Sequence, residues 1–285
     1  MQQEKTDKEQ HAISLEKLEE IAKQLRKEVL IKSHAVKTGH IGSAFSIIEL
    51  LVFLYYKQLN ISNSNKYLPE RDRFILSKGH ACCPLYITLC KRGLISQEVL
   101  DKYSIDGGLL EHHPRRELNY GIEVSTGSLG HGLSIGCGLA LAAKKDKRKN
   151  RVYVLLSDGE LNEGTIWEAV MFANQKALNN LVAIVDFNKI QAMGSNKEVM
   201  DLEPLEDKWK AFGWNVFRID GHSFSEIDKV FSSLNKENIK KPSVIIADTI
   251  KGKGVSFMEH NLLWHYRCPD AKELELALAE LEGKS

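Results

Sequence analysis

The chain has 285 residues, 43% of them hydrophobic, which is ample for one large core. Lys and Arg total 39 against 38 Asp and Glu, so no net field draws the protein to nucleic acid or to an anionic membrane. No apolar run is long enough to span a bilayer; the longest, Ala44 to Tyr56, is interrupted by Ser46 and Glu49.

The opening stretch MQQEKTDKEQH is polar and mixed in charge, unlike a signal or transit peptide. Residues 14–60 read as helical. Ser14 can cap a helix whose Leu15, Leu18, Ile21, Ala22, Leu25 and Val29 share one face. A second helix, Ala44 to Leu59, is apolar nearly all round and should be buried. A loop, ISNSNKYLPE (61–70), follows. From residue 73 strands alternate with helices: strands at Arg73–Ser77, Val152–Ser157, Leu181–Phe187, Asn215–Asp220 and Ser243–Asp248, helices at Thr165–Leu178 and Ser223–Leu234, and a loop at 236–242. This alternation predicts an α/β fold, a parallel sheet with helices on both faces, in one domain spanning 1–285. Cys82, Cys83, Cys90, Cys137 and Cys268 form no C-x-x-C pair and read as the reduced thiols of a cytoplasmic protein. Packing is their expected role, with a catalytic cysteine as the alternative.

Chemistry concentrates in the loops. The strand 152–157, helix 165–178 and strand 181–187 form a βαβ unit, so Asp158 and Asn188 should follow the C-terminal ends of neighbouring parallel strands, where ligands bind in such sheets. A carboxylate and an amide oxygen suit Mg²⁺, which fills its octahedron with phosphate oxygens and water. Gly159 would let a phosphate approach the backbone. The plainer alternative is an Asp-Gly turn. ILSKGHACCPLY places Lys78-Gly79-His80 before a helix with Pro84 in its first turn, and KTGHIGSAF places His40 between Gly39 and Gly42 before another. In STGSLGHGLSIGCGLALAAKK, Gly127, Gly130 and Gly132 are expected to pass close to a flat ligand, and Gly136 and Gly138 to permit close helix packing. A Gly-His turn can also be a plain hydrogen-bonded loop; the collection points to a phosphate-bearing ligand.

The segments KTGHIGSAFSIIELL, RDRFILSKGHACCPLY, HHP, GIEVSTGSLGHGLSIGCGLALA, SDGELNEGTIWEA, DFNKIQAMG and KGKGVSFMEHNLLWH resemble, in order, the N-terminal, diphosphate-binding part of transketolase, a thiamine diphosphate enzyme. The resemblance implies a thiamine diphosphate-binding fold. It implies Mg²⁺ ligands at Asp158, Asn188 and the Ile190 carbonyl, and diphosphate contacts at Gly159 and His80. Gly127, Ser128 and Leu129 would line the cofactor's rings. His40, His113 and His265 would stand on the substrate side as catalytic groups, and Glu163 would join two cofactor sites through an interface. Ser157, Phe187, His131 and the HYRCPD segment depart from the family pattern.

The resemblance further implies ketol transfer between sugar phosphates, in an α2β2 assembly with no nucleic acid or membrane partner. A second subunit would carry the pyrimidine-binding and C-terminal domains. It would supply the carboxylic acid that the cofactor's aminopyrimidine needs, which the family keeps in the domain after this one. Enzymes like 1-deoxyxylulose-5-phosphate synthase or the 2-oxoacid dehydrogenase alpha chain are alternatives, as is a non-catalytic cofactor-binding module. SKGHACCPLY and HHP fit transketolase better.

Overall fold

Five parallel strands form one sheet in the order β1-β2-β3-β5-β4. They are β1 (Arg73–Leu76), β2 (Val152–Ser157), β3 (Leu181–Phe187), β4 (Asn215–Asp220) and β5 (Ser243–Asp248). The computed structural model describes residues 13–235 and 239–284. The polar N-terminal stretch and the start of the 236–242 loop lie outside the described residues.

Every residue of β2 and β3 is buried. A parallel strand covered on both faces must be apolar throughout, which explains runs such as VYVLL and LVAIV. The alternation of side chains divides these strands between two cores. Tyr153, Leu155, Val182, Ile184 and Ile245 face one cluster, while Val154, Leu156, Ala183, Val185 and Ile246 face the other.

The first core is covered by helices α1 (Leu15–Val36), α2 (Ile41–Phe45), α3 (Ile48–Phe53), α4 (Cys82–Lys91), α10 (Phe224–Leu234) and α11 (Ala271–Glu282). The second is covered by α6 (Gly132–Lys145), α7 (Gly164–Gln175) and α9 (Leu205–Ala211). Short helices α5 (Gln97–Asp101) and α8 (Asn196–Val199) complete the set. The expected two-faced sheet is therefore present. Ser14 caps α1 by accepting the Lys17 N–H at 3.2 Å.

The single helix expected over Ala44 to Leu59 is broken. It stops at Phe45, restarts at Ile48 and ends in a π-helical turn, Leu54–Gln58. Ser46 lies at the break because its hydroxyl donates to the Asp186 carboxylate at 2.7 Å as well as to the Ser43 carbonyl. A buried carboxylate thus overrides helix continuity. All six residues of α3 remain buried, as its apolar surface predicts.

The two strand ends of the βαβ unit are in register, Ser157 opposite Asp186. The loops that leave the C-terminal edge of the sheet therefore converge over β2 and β3.

Candidate active site

A cleft of about 270 Å³ opens at this edge. His40, His80, His113, Gly127, Leu129, Asp158, Gly159, Asn188, Ile190 and His265 all line it. Two of the site residues implied by the family resemblance do not. Ser128 is left outside, and Glu163 is exposed at the start of α7.

Asp158 is 2% exposed. Its carboxylate accepts the N–H groups of Gly159 at 2.7 Å and Lys189 at 2.6 Å, and the Asn196 amide at 3.1 Å. Burial, and repulsion from Asp186, push this carboxyl above the usual range. Asn188 donates its amide to Asp186 at 2.9 Å, which turns its oxygen to the other side; that oxygen accepts the Ile190 N–H at 3.2 Å. The Ile190 carbonyl accepts Lys251 Nζ at 3.0 Å.

These three oxygens fit the expected metal. A carboxylate has about four lone-pair sites and each carbonyl two, so every one keeps capacity for a hard cation. A dication would also relieve the unfavourable ionisation of Asp158. Among the described residues no group of three His, Cys, Asp or Glu side chains could hold a metal. The set here is one carboxylate and two carbonyl oxygens. Gly159 is not a strict packing requirement either: the nearest neighbour a Cβ there would meet is the Gln191 side chain, at 3.3 Å. Close approach of a ligand gives a reason for the glycine that the protein interior does not.

Four imidazoles meet in the same cleft. The His40 ring lies 4.9 Å from that of His265, 5.1 Å from His80 and 6.4 Å from His113. His40 begins α2 in the left-handed region (φ 63°), and its N–H donates to the His265 carbonyl at 3.0 Å, which ties two distant loops together. Burial lowers all four pKa values. His40 falls to about 4, helped by His113 and Lys251, and His265 to about 3, helped by Lys251 and His40. His80 is held well below the usual range by burial and Lys78, and His113 is lowered by burial and His112. These shifts favour the neutral ring at pH 7, with one donor and one acceptor nitrogen.

Several functional groups escaped the sequence reading. Asp186 is wholly buried and takes hydrogen bonds from Ser46, Lys78, Asn188 and Thr249. Burial opposes its ionisation, but the Lys78 ammonium and these donors hold its carboxyl below the usual range. The available signal was a carboxylate inside the apolar run LVAIVDF, two residues before Asn188. Glu160 is also buried and accepts from Ser77 and from the Gly130 N–H (2.8 Å), anchoring the glycine-rich loop to the ends of β1 and β2. Lys251, buried between Ile190 and His265, sits in the KGKG segment, whose lysines carry no local pattern.

The glycine expectations are partly corrected. Gly130 and Gly132 do not line the cleft, and protein packing accounts for both: a Cβ on Gly130 would strike Thr165 and Glu163, and one on Gly132 would strike Ser77 at 2.2 Å. Only Gly127 of the three lines the cleft, over His113. Gly136 presses on Val154 as expected, but Gly138 has open space where a Cβ would stand. The cysteines are free; burial pushes Cys82 and Cys137 up to about 12, and Cys83 further up, which fits packing rather than nucleophilic work. Among the described residues no helix is long and apolar enough to cross a membrane.

Residues 18–275 match the family described as transketolase, thiamine diphosphate binding domain. An apulose-4-phosphate transketolase subunit of Phocaeicola vulgatus is 44% identical over 272 residues, covering 95% of this chain and 96% of that protein. The 6-deoxy-6-sulfo-D-fructose transketolase subunit SqwG of Clostridium sp. is 42% identical, covering 93% and 96%. Among solved structures, transketolase from Campylobacter jejuni superposes with a TM-score of 0.85 at 28% identity, covering 95% of this chain but 43% of that one.

Proposed function

We propose, since this chain belongs to the transketolase family, that it is the diphosphate-holding subunit of a two-subunit enzyme that moves a two-carbon ketol unit from a ketose phosphate to an aldose phosphate. The observation that carries the assignment of its site is one cleft lined both by the Asp158, Asn188 and Ile190 positions and by four imidazoles, with Lys251 bridging the Ile190 carbonyl and His265.

Asp158, Asn188 and the Ile190 carbonyl would hold Mg²⁺, leaving its other positions to phosphate and water. Gly159 and His80 would contact the diphosphate, and Gly127 and Leu129 the ring portion, with Ser128 shaping the loop between them. Thiamine diphosphate, when bound, supplies the carbanion-stabilising chemistry that ketol transfer needs. The chain's own work is to bind and orient the sugar and to move protons. His40 and His113, kept neutral by burial, can each donate to one sugar oxygen and accept from another near neutral pH, while His265, whose Nδ1 meets Lys251, offers its other ring nitrogen.

A second chain would cover the pyrimidine end of the cofactor and provide its acid. Support comes from the relatives named as subunits, whose length this chain matches, and from solved transketolases of which it spans about two-fifths. Ile135, Met171 and Phe172 stand exposed on α6 and α7, and a partner would bury them. Glu163 stands exposed at the start of α7, where it could bridge two cofactor sites in an α2β2 assembly with two-fold symmetry. Free thiols agree with the cytoplasm.

The test is Asp158→Ala in the assembled two-chain enzyme. Mg²⁺-dependent retention of thiamine diphosphate, followed by calorimetric titration, should be abolished while the circular dichroism of the chain is unchanged. Unaltered cofactor affinity would overturn the assignment.

A further inference from the structure

A buried polar chain lies behind the cleft, in residues to which the reaction assigns no work. Arg26 on α1 and Glu49 on α3 form an ion pair of 2.5 Å, with both side chains less than a tenth exposed. The other Glu49 oxygen accepts the Nδ1–H of His222 at 2.9 Å. His222 Nε2 in turn accepts the Ile250 N–H at 2.9 Å, and Arg26 Nε donates to the Lys253 carbonyl at 2.9 Å. One network therefore grips both ends of the segment 250–253.

Between the grips the backbone has little freedom. Gly252 adopts φ 82°, its N–H donates to the Gly42 carbonyl at 3.0 Å, and a Cβ there would lie 2.1 Å from the Met258 carbonyl. Lys251 is thus presented in one direction, and its Nζ meets the Ile190 carbonyl and His265 Nδ1, both at 3.0 Å. An ammonium has donors only, so His265 Nδ1 must accept and Nε2 must carry the proton. The ring nitrogen left for other partners is then an N–H donor.

Stability does not explain this arrangement. Replacing a buried ion pair by apolar residues of similar volume is often neutral or stabilising by about 1–4 kcal/mol, and the surrounding core is already apolar. We propose that Glu49, with Arg26 and His222, is a positioning clamp that sets Lys251 and, through Lys251, the Nε2–H tautomer of His265 for work in the cleft. This rests on the reading of the cleft as the active site.

The test reads the free, full-length chain first, by ¹⁵N NMR of the histidine side chains. In the wild type, His265 should show a protonated Nε2 and an accepting Nδ1. Lys251→Met should shift the tautomer balance, and His222→Phe should shift it the same way. Glu49→Gln, which keeps the volume and serves should His222→Phe not fold, should do so in part. The second readout is ketol transfer in the two-chain enzyme: His222→Phe should lower kcat about 10- to 100-fold, the range seen for groups that orient ligands. The double variant with Lys251→Met should be no slower than Lys251→Met alone, because the two act in series. Tautomer signals unmoved by the foldable clamp variant, or losses that multiply in the double variant, would overturn the proposal. If the tautomer shifts while kcat is unchanged in every variant, including Lys251→Met, the reading of the cleft fails instead.

Discussion

At one end of the cleft, Asp158 and Asn188 leave adjacent strands of a single βαβ unit, and backbone N–H groups, Asn196 and Asp186 fix their side chains. By contrast, His40, His113 and His265 arrive from three separate loops and meet through their rings and the single His40 N–H to His265 carbonyl bond, with the His80 ring beside them. The oxygen end is buried carboxylate pinned by the sheet; the histidine end is neutral and more open. Such a division suits a rigid grip on a metal and diphosphate beside groups that exchange protons with a changing substrate.

The largest expected effect that would sharpen this contrast is on turnover. His113→Ala and His265→Ala should each lower kcat about 10²- to 10⁴-fold, the usual worth of general acid–base help. Cofactor affinity should stay near that of the wild type, in contrast to Asp158→Ala. Steady-state kinetics at saturating cofactor, paired with calorimetric titration, separates the two. A histidine variant that lost the cofactor but kept normal turnover at saturation would erase the distinction between the ends.

The same contrast explains what could be read before the fold was known. The strands, their parallel arrangement and the meeting of Asp158 with Asn188 follow from apolar runs and a short crossover, all local signals. His40, His80, His113 and His265 are joined by no periodicity; Gly-His turns before helices linked His40 with His80, and only the resemblance to transketolase added His113 and His265. Asp186 and Glu160 were hidden because burial normally excludes carboxylates, and the lysine and backbone donors that make them tolerable come from distant segments. The break at Ser46 was illegible for the same reason, since its partner Asp186 is on β3. The transketolase family and the two-faced sheet stood as read; the fates of Gly130, Gly132 and Gly138 needed three-dimensional neighbours.

Acid should act with opposite sign on the histidines and on Asp158 and Glu160. His40 and His265 have folded pKa values of about 4 and about 3, below an unfolded value of about 6.5. The unfolded chain therefore binds more protons in that window, and these groups take stability away as pH falls below about 6.5. Asp158 and Glu160 are raised by burial, so the native state takes up their protons first and they favour folding as pH falls through the carboxylate range. His40→Asn suits the left-handed backbone at that position. It should lose less stability than the wild type between pH 7 and pH 5, by about 1 kcal/mol per pH unit at most. Urea midpoints at the two pH values measure this. Equal losses in both proteins would show that the His40 imidazole does not depend on being neutral.

The smallest expected effects lie in α6, where two glycines repeat the contrast between a surface pressed on the site and one that is free. A Cβ on Gly136 would stand 2.5 Å from Val154 Cγ2, on the strand that ends just before Asp158. Gly136→Ala must therefore push α6 off β2 and should cost about 1–3 kcal/mol, the usual penalty of overpacking. Gly138, two residues on, is exposed and has nothing within 4 Å of a Cβ. Alanine there only relieves the entropic cost of a helical glycine, so Gly138→Ala should raise stability by about 0.5–1 kcal/mol. Thermal melts of the isolated chain test both, and the signs should differ. If Gly136→Ala is harmless to stability and to cofactor retention, β2 is not held against α6 as tightly as this geometry requires. The rigidity assigned to the oxygen end would then have to come from its hydrogen bonds alone.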